Sequence, residues 1–167
     1  MKIVSTDQST TKTGLAVIED GRPVYFTLYD HSGNNDKADR IKLMFLDIIG
    51  EVERQSPGYL VFEAVQQQKS PQASMMLSAL QGGLICYAYE HKLNVSSPLS
   101  TEWREVLGFR QGPKIKREEL KAQAKDFVLN HFGITASEDE CEAICIGIAE
   151  YLRLNDIDVM KLAFHPI

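Results

Sequence analysis

Three apolar runs fall within the first 29 residues, Lys2 to Asp7, Gly14 to Glu19 and Pro23 to Tyr29. Parallel neighbours need a crossover of about a dozen residues or more, so strands this close together pair antiparallel. Asp20-Gly21, between the second and third runs, is a hairpin signal, because both residues tolerate the positive φ of a type I′ turn. In the third run Val24, Phe26 and Leu28 alternate with Tyr25, Thr27 and Tyr29, the period of a strand with two unlike faces. The chain is therefore expected to open on a three-stranded meander, with a turn over Gln8 to Thr13.

After a polar loop, His31 to Asp36, the period becomes helical, with Ile41, Phe45, Ile48, Ile49 and Val52 on one stripe and Ser56-Pro57-Gly58 as the stop. A fourth strand, Tyr59 to Glu63, follows. Ser70-Pro71 suits an N-cap and first helical residue, which opens a helix to about Glu90. Its Gly82 and Gly83 each cost about 1 kcal/mol relative to alanine. A close neighbour should justify them, either a crossing helix of this chain or a second subunit. A short strand (Asn94 to Ser97), a short helix (Ser100 to Leu107) and a basic loop (Gly108 to Lys114) come next. A helix from about Lys116 to His131 is closed by Gly133. Ser137 with Glu140 matches a capping box, so the last main helix runs from Glu138 to about Leu154. The order βββαβαβααα describes one α/β domain over residues 1–167 with a mixed sheet.

No apolar stretch approaches the ~20 residues of a membrane span, and MKIVSTDQ turns polar too soon for a signal peptide. A cytoplasmic location is expected, with no membrane partner. Cys86, Cys141 and Cys145 form an odd set without suitably spaced His or Cys partners, and read as buried apolar thiols. The net charge of −5 argues against a protein that coats nucleic acid, yet Arg104 to Lys125 holds seven basic residues against three acidic ones. That stretch is either a nucleic-acid contact or a solvated helix face with i,i+4 pairs.

Four acids stand at positions where a purely structural role is hard to find. Asp7 and Glu63 each end an apolar run, and Asp139 and Glu142 lie three apart at a helix start. Taken singly, each has an ordinary use: Asp7 could cap the turn after it, and the macrodipole favours acids in a first helical turn. Taken together they suggest convergence. If the strand ending at Glu63 lies beside and parallel to the first, Asp7 and Glu63 emerge at one edge, and the start of the last helix could face them. Converging carboxylates repel and need a cation, and oxygen-only donors favour Mg²⁺ or Mn²⁺. Two such ions roughly 3.5–4 Å apart are suited to in-line phosphodiester hydrolysis.

Asp7-Gln8-Ser9-Thr10-Thr11-Lys12-Thr13-Gly14, Phe62-Glu63-Ala64-Val65 and Asp139-Glu140-Cys141-Glu142-Ala143 resemble, in order and spacing, the motifs of the RuvC-type Holliday junction resolvases, most of all their compact bacteriophage members. The likeness spans about residues 2 to 154. It implies an RNase H-like fold with a five-stranded sheet, antiparallel in its first three strands and parallel in the fourth and fifth. It also implies a homodimer that nicks two strands of a four-way DNA junction symmetrically, leaving 5′-phosphate and 3′-hydroxyl ends. By position, Asp7, Glu63, Asp139 and Glu142 become the ligands of two Mg²⁺ or Mn²⁺ ions per site, and Lys116 the basic catalytic residue, with Lys114 beside it. Gln66, Gln67, Gln68, Lys69, Arg110, Lys114, Lys116 and Arg117 become DNA contacts, and the helix from Pro71 the dimer helix. No helicase partner is read from the sequence.

Two departures stand out. Glu142 replaces a common Asp, and Gln66-Gln67-Gln68-Lys69 lacks the aromatic wedge that often follows Glu63, a loss of stacking worth ~1–3 kcal/mol per base. Cleavage of three-way junctions and flaps is therefore expected beside four-way junctions. Asp7 to Thr11 also resembles the first phosphate motif of carbohydrate kinases in the actin-like ATPase group, but 167 residues cannot hold the two domains those enzymes need. A noncatalytic junction-binding protein would use only the basic stretch and would not require the acids.

Overall fold

The computed structural model describes residues 1–65 and 70–162. β1 (Lys2–Gln8), β2 (Lys12–Glu19) and β3 (Arg22–Asp30) form the expected antiparallel meander. Asp20 and Gly21 take φ values of 47° and 79°, the left-handed pair a type I′ hairpin requires. α1 (Lys37–Gln55) leads to β4 (Tyr59–Phe62), α2 (Pro71–Glu90) to β5 (Asn94–Ser96), and α3 (Ser100–Val106), α4 (Arg117–Phe132) and α5 (Glu138–Leu154) complete the main elements. β4 is parallel to β1 and β5 parallel to β4, so the five-stranded sheet has the order β3-β2-β1-β4-β5. No helix among the described residues is long and apolar enough to cross a membrane.

Strand alternation divides the core into two layers. Val4, Leu15, Val17, Leu60 and Phe62 pack with Met44, Ile48 and Val52 of α1 and Leu80, Leu84 and Ala88 of α2. Ile3, Ala16, Ile18 and Val61 point the other way, into a cluster with Ile144, Ile148 and Leu152 of α5, backed by Trp103 of α3 and Phe127 of α4. With both faces covered, the central strands read as continuous apolar runs.

The first turn is tighter than the expected span. The Ser9 N–H donates to the Lys12 carbonyl at 2.8 Å, and the Ser9 hydroxyl accepts from the Lys12 N–H at 2.9 Å. The ladder therefore continues to Gln8 opposite Thr13 and pairs Asp7 with Gly14. Asp7 is thus held inside a strand rather than at its frayed end.

α5 lies unusually close to the sheet. A Cβ on Gly147 would meet the Ser5 hydroxyl at 2.4 Å and the Ile18 side chain at 2.6 Å. The Ser5 hydroxyl donates to the Ala143 carbonyl at 2.7 Å, which ties β1 to the first turns of α5. The two helix glycines of α2 divide in role. Gly83 backs onto the Phe45 ring of α1, 3.3 Å from where a Cβ would stand, whereas a Cβ on Gly82 would have nothing within 4 Å. The crossing helix accounts for one glycine only. The reading of the thiols needs one correction: Cys141 and Cys145 are buried, but Cys86 is exposed on α2. The apolar surroundings of the Cys141 thiol push its pKa up to about 11.

Candidate metal centre

The sheet register brings Asp7 and Glu63 together. Thr6 pairs with Phe62 across β1 and β4, so the residues that follow them, Asp7 in β1 and Glu63 just past β4, lie side by side at the same end of the sheet. The Ser137 capping box fixes the start of α5: Glu140 N–H donates to the Ser137 hydroxyl at 3.3 Å, and Glu140 Oε2 accepts from the Ser137 N–H at 2.9 Å. Asp139 and Glu142, three residues apart, then share a helix face. The α5 start can approach β2 because residue 14 is glycine; a Cβ there would lie 2.1 Å from the Asp139 carbonyl oxygen.

All four predicted acids line one cavity of about 280 Å³, together with Gln8, Ser9, Ser100, Arg104, Arg117 and Leu120. One carboxylate oxygen from each of Asp7, Asp139 and Glu142 lies within 4.8 Å of the others. Glu63 stands slightly apart from this triad and is held from two sides. Its Oε2 accepts from the Trp103 indole N–H at 2.9 Å, and its backbone carbonyl accepts from Gln81 of α2 at 2.7 Å. Among the described residues, no hydrogen bond or ion pair reaches the side-chain carboxylates of Asp7 or Asp139.

The electrostatics match that geometry. Burial pushes the Asp7 carboxyl well above its ordinary pKa, and the charges of Glu142, Glu63 and Asp139 push it further; Lys121 opposes them. Glu63 is raised by burial, against the Trp103 hydrogen bond and the charge of Arg104. An all-carboxylate donor set with this much uncompensated charge fits a hard divalent cation. A larger cleft, about 660 Å³, opens between β5, α3 and α5. Two of the three acids that line it are engaged: Glu102 accepts from the Leu99 N–H at 2.7 Å, and Glu150 accepts two bonds from Arg153, at 2.9 and 2.5 Å. Only the smaller cavity brings three carboxylates within reach of one ion among the described residues.

The basic residues separate. Arg117, a predicted DNA contact, lines the cavity. Arg110, Lys114 and Lys116 are exposed on the adjoining loop, and Lys116 is the N-cap of α4 rather than a lining residue. The loop is pinned through Gln123, which accepts from the Arg110 N–H at 2.7 Å and donates to its carbonyl at 3.1 Å. Gln66, Gln67, Gln68 and Lys69 lie outside the described residues. Arg104, counted from the sequence only as part of a basic stretch, turns inward. Its Nη2 donates to Glu142 Oε1 at 3.2 Å, its guanidinium lies 4.6 Å from the Trp103 ring centroid, and its Nε is buried without a hydrogen-bond partner among the described residues. The adjacent Trp103 was the available signal, since an Arg beside an aromatic on a seven-residue helix need not face solvent.

No protein-family model and no curated protein sequence matches the chain. Among solved structures, Thermus thermophilus RuvC superimposes with a TM-score of 0.72 at 13% identity, covering 93% of this chain and 97% of that one. The same enzyme in complex with Holliday junction substrate gives 0.71 at 13% identity, with 93% and 96% covered. The yeast mitochondrial Holliday junction resolvase Ydc2 gives 0.54 at 12% identity, covering 89% of this chain and 77% of its own. The chain therefore has the RNase H-like α/β fold of the RuvC-type resolvases, with the mixed five-stranded sheet that its motifs imply.

Proposed function

We propose that this chain is a metal-dependent endodeoxyribonuclease that resolves four-way DNA junctions by paired nicks and also cuts three-way junctions and flaps. The observation that carries this reading is the meeting of Asp7, Asp139 and Glu142 in one cavity beside Glu63. The fold shared with two Holliday junction resolvases, one of them seen with junction DNA, supports the substrate class.

In this reading Asp7, Glu63, Asp139 and Glu142 hold two Mg²⁺ or Mn²⁺ ions. Bound there, such ions supply Lewis-acid polarisation of the phosphate and a water of lowered pKa. Arg117 at the cavity edge and the unpartnered Nε–H of Arg104 supply donors for phosphate oxygens, the geometry at which guanidinium excels. Arg110, Lys114 and Lys116 extend the binding surface along the DNA backbone. A homodimer through α2 places two sites on one junction. Met75, Gly82, Ile85 and Tyr89 fall on one face of α2, and Met75, Ile85 and Tyr89 are exposed.

A nicking assay on four-way, three-way, flap and duplex DNA, with Mg²⁺, Mn²⁺ or EDTA, tests the reading. Metal-dependent, paired nicks at the four-way junction are expected, with junction binding but no nicking by Glu63→Gln. Cleavage in EDTA, or by that variant, would count against the mechanism. Unpaired single nicks would remove the dimer. Replacing Lys114 and Lys116 together with alanine should weaken junction binding. It should also flatten the salt dependence, by about 0.9 for each duplex phosphate that these lysines neutralise. An unchanged slope takes these lysines off the DNA path.

A further inference from the structure

Glu63 is the acid that does not join the tight triad, and its carboxylate is fixed by a group that is not an acid, a base or a metal ligand. The indole N–H of Trp103 meets Oε2 at 2.9 Å, which is a well-formed hydrogen bond. The ring itself has no freedom. It is 1% exposed, packs edge-on against Phe109 at 5.9 Å between centroids, and carries the Arg104 guanidinium on its face. A ring fixed on that many sides fixes the direction of its N–H. That N–H then fixes one oxygen of Glu63 and leaves the carboxylate a single orientation toward the cavity it lines. We propose that Trp103 is a positioning residue: it orients the Glu63 carboxylate for divalent-cation binding without touching the ion or the DNA.

The same arrangement links Glu63 to a second acid of the site, Glu142. Arg104, stacked on that ring, donates to Glu142. Two consecutive residues of α3 therefore hold two of the acids from behind, and α3 acts as a shelf for the cavity. Partners of this kind, one bond removed from a metal, typically change metal affinity by about 10- to 100-fold when they are removed. The effect should appear in cation affinity before it appears in DNA affinity, because the indole N–H faces the carboxylate and not the solvent.

This inference rests on the metal reading of the acid cluster, and the test separates the two. Mg²⁺ and Mn²⁺ binding is measured by calorimetry, without DNA, on the wild type and on Trp103→Phe, which keeps an aromatic ring but has no N–H. The metal dissociation constant should rise roughly tenfold. Junction affinity in EDTA should stay within about twofold, and nicking should recover at raised Mn²⁺. A packing defect alone would lower the melting temperature without moving the metal titration midpoint, and an unchanged midpoint overturns the proposal. Should Trp103→Phe not fold, the wild type supplies its own reading. The chain has one tryptophan, so a ¹⁵N-labelled sample gives one indole N–H cross-peak. That peak should shift on adding Mg²⁺ with the calorimetric midpoint, and a peak that does not move removes Trp103 from the site. If the wild type binds neither ion, the metal reading falls and this inference with it. If it binds but Trp103→Phe binds equally well, only this inference falls.

Discussion

Asp7→Asn should abolish nicking and make the metal-free protein more stable. The loss follows from position. Asp7 contributes one of three oxygens that lie within 4.8 Å of one another, and it is the one furthest inside the sheet, paired with Gly14 on β2. An amide in its place keeps the shape but offers neither the charge nor two equivalent oxygens. Losing several kcal/mol of metal-derived stabilisation, about 4 kcal/mol, corresponds to roughly a thousandfold in rate. Junction binding in EDTA should survive, because the basic residues are untouched.

The gain in stability comes from the same crowding. Asp7 sits among Glu63, Asp139 and Glu142, and no hydrogen bond among the described residues compensates it. Its carboxyl is held well above the ordinary range, chiefly by burial and then by Glu142. A carboxyl raised on folding destabilises the native state once ionised. That penalty is absent below the unfolded value of about 3.9 and grows as pH rises toward the folded pKa. Asparagine removes it. In EDTA at neutral pH the variant should gain about 0.5–2 kcal/mol, as other relieved functional sites do. That is about 2–4 °C in melting temperature per kcal/mol for a chain of this size. The gap should close in acid. Saturating Mg²⁺ should raise the wild type alone, by about 2.7 kcal/mol at a hundred times its dissociation constant. Thermal melts in EDTA and Mg²⁺ check all three statements. A variant less stable than wild type in EDTA, or one stabilised equally by Mg²⁺, would sink the metal-site account.

The sequence carried the elements well because their signals are local. The Ser137 and Ser70 caps, the Asp20-Gly21 turn and the αL stop at Gly133 each act within four residues. Convergence of the acids followed from one further assumption, that β4 lies parallel beside β1, and the register supports it. Legibility ended where an interaction depends on distant chain segments. A charged residue does not announce its direction: Arg104 and Lys116 look alike in a basic stretch, yet one turns into the cavity and the other stays exposed. Glu63, which stands apart from the triad, is hydrogen-bonded to an indole forty residues away. Gly14 reads from sequence as the first residue of the second strand, and its close approach to Asp139 appears only once α5 is laid against β2.

That approach makes Gly14→Ala the most informative substitution outside the acids. Residue 14 lies in a regular strand, between Asp7 and Leu28, so alanine meets no backbone restriction there. Its Cβ would nevertheless stand 2.1 Å from the Asp139 carbonyl oxygen and 2.3 Å from its carbon. Neither atom is the end of a flexible side chain, so the strand and the α5 start must separate, by about 1 Å, to relieve the clash. Overpacking of this kind costs about 1–3 kcal/mol. The chemical cost is larger. Asp139 and Glu142 ride on the displaced turn while Asp7 and Glu63 stay with the sheet, and a misplacement of about 1 Å can lower a rate about 100-fold. Gly50→Ala is the matched control: the same added methyl, in the α1 interior, with nothing within 4 Å. It should be neutral or stabilise by up to about 1 kcal/mol. The expected result is a lower melting temperature, weaker Mg²⁺ binding and nearly absent nicking for Gly14→Ala, against wild-type behaviour for Gly50→Ala. Wild-type nicking by Gly14→Ala would mean that the start of α5 does not set the geometry of the acids.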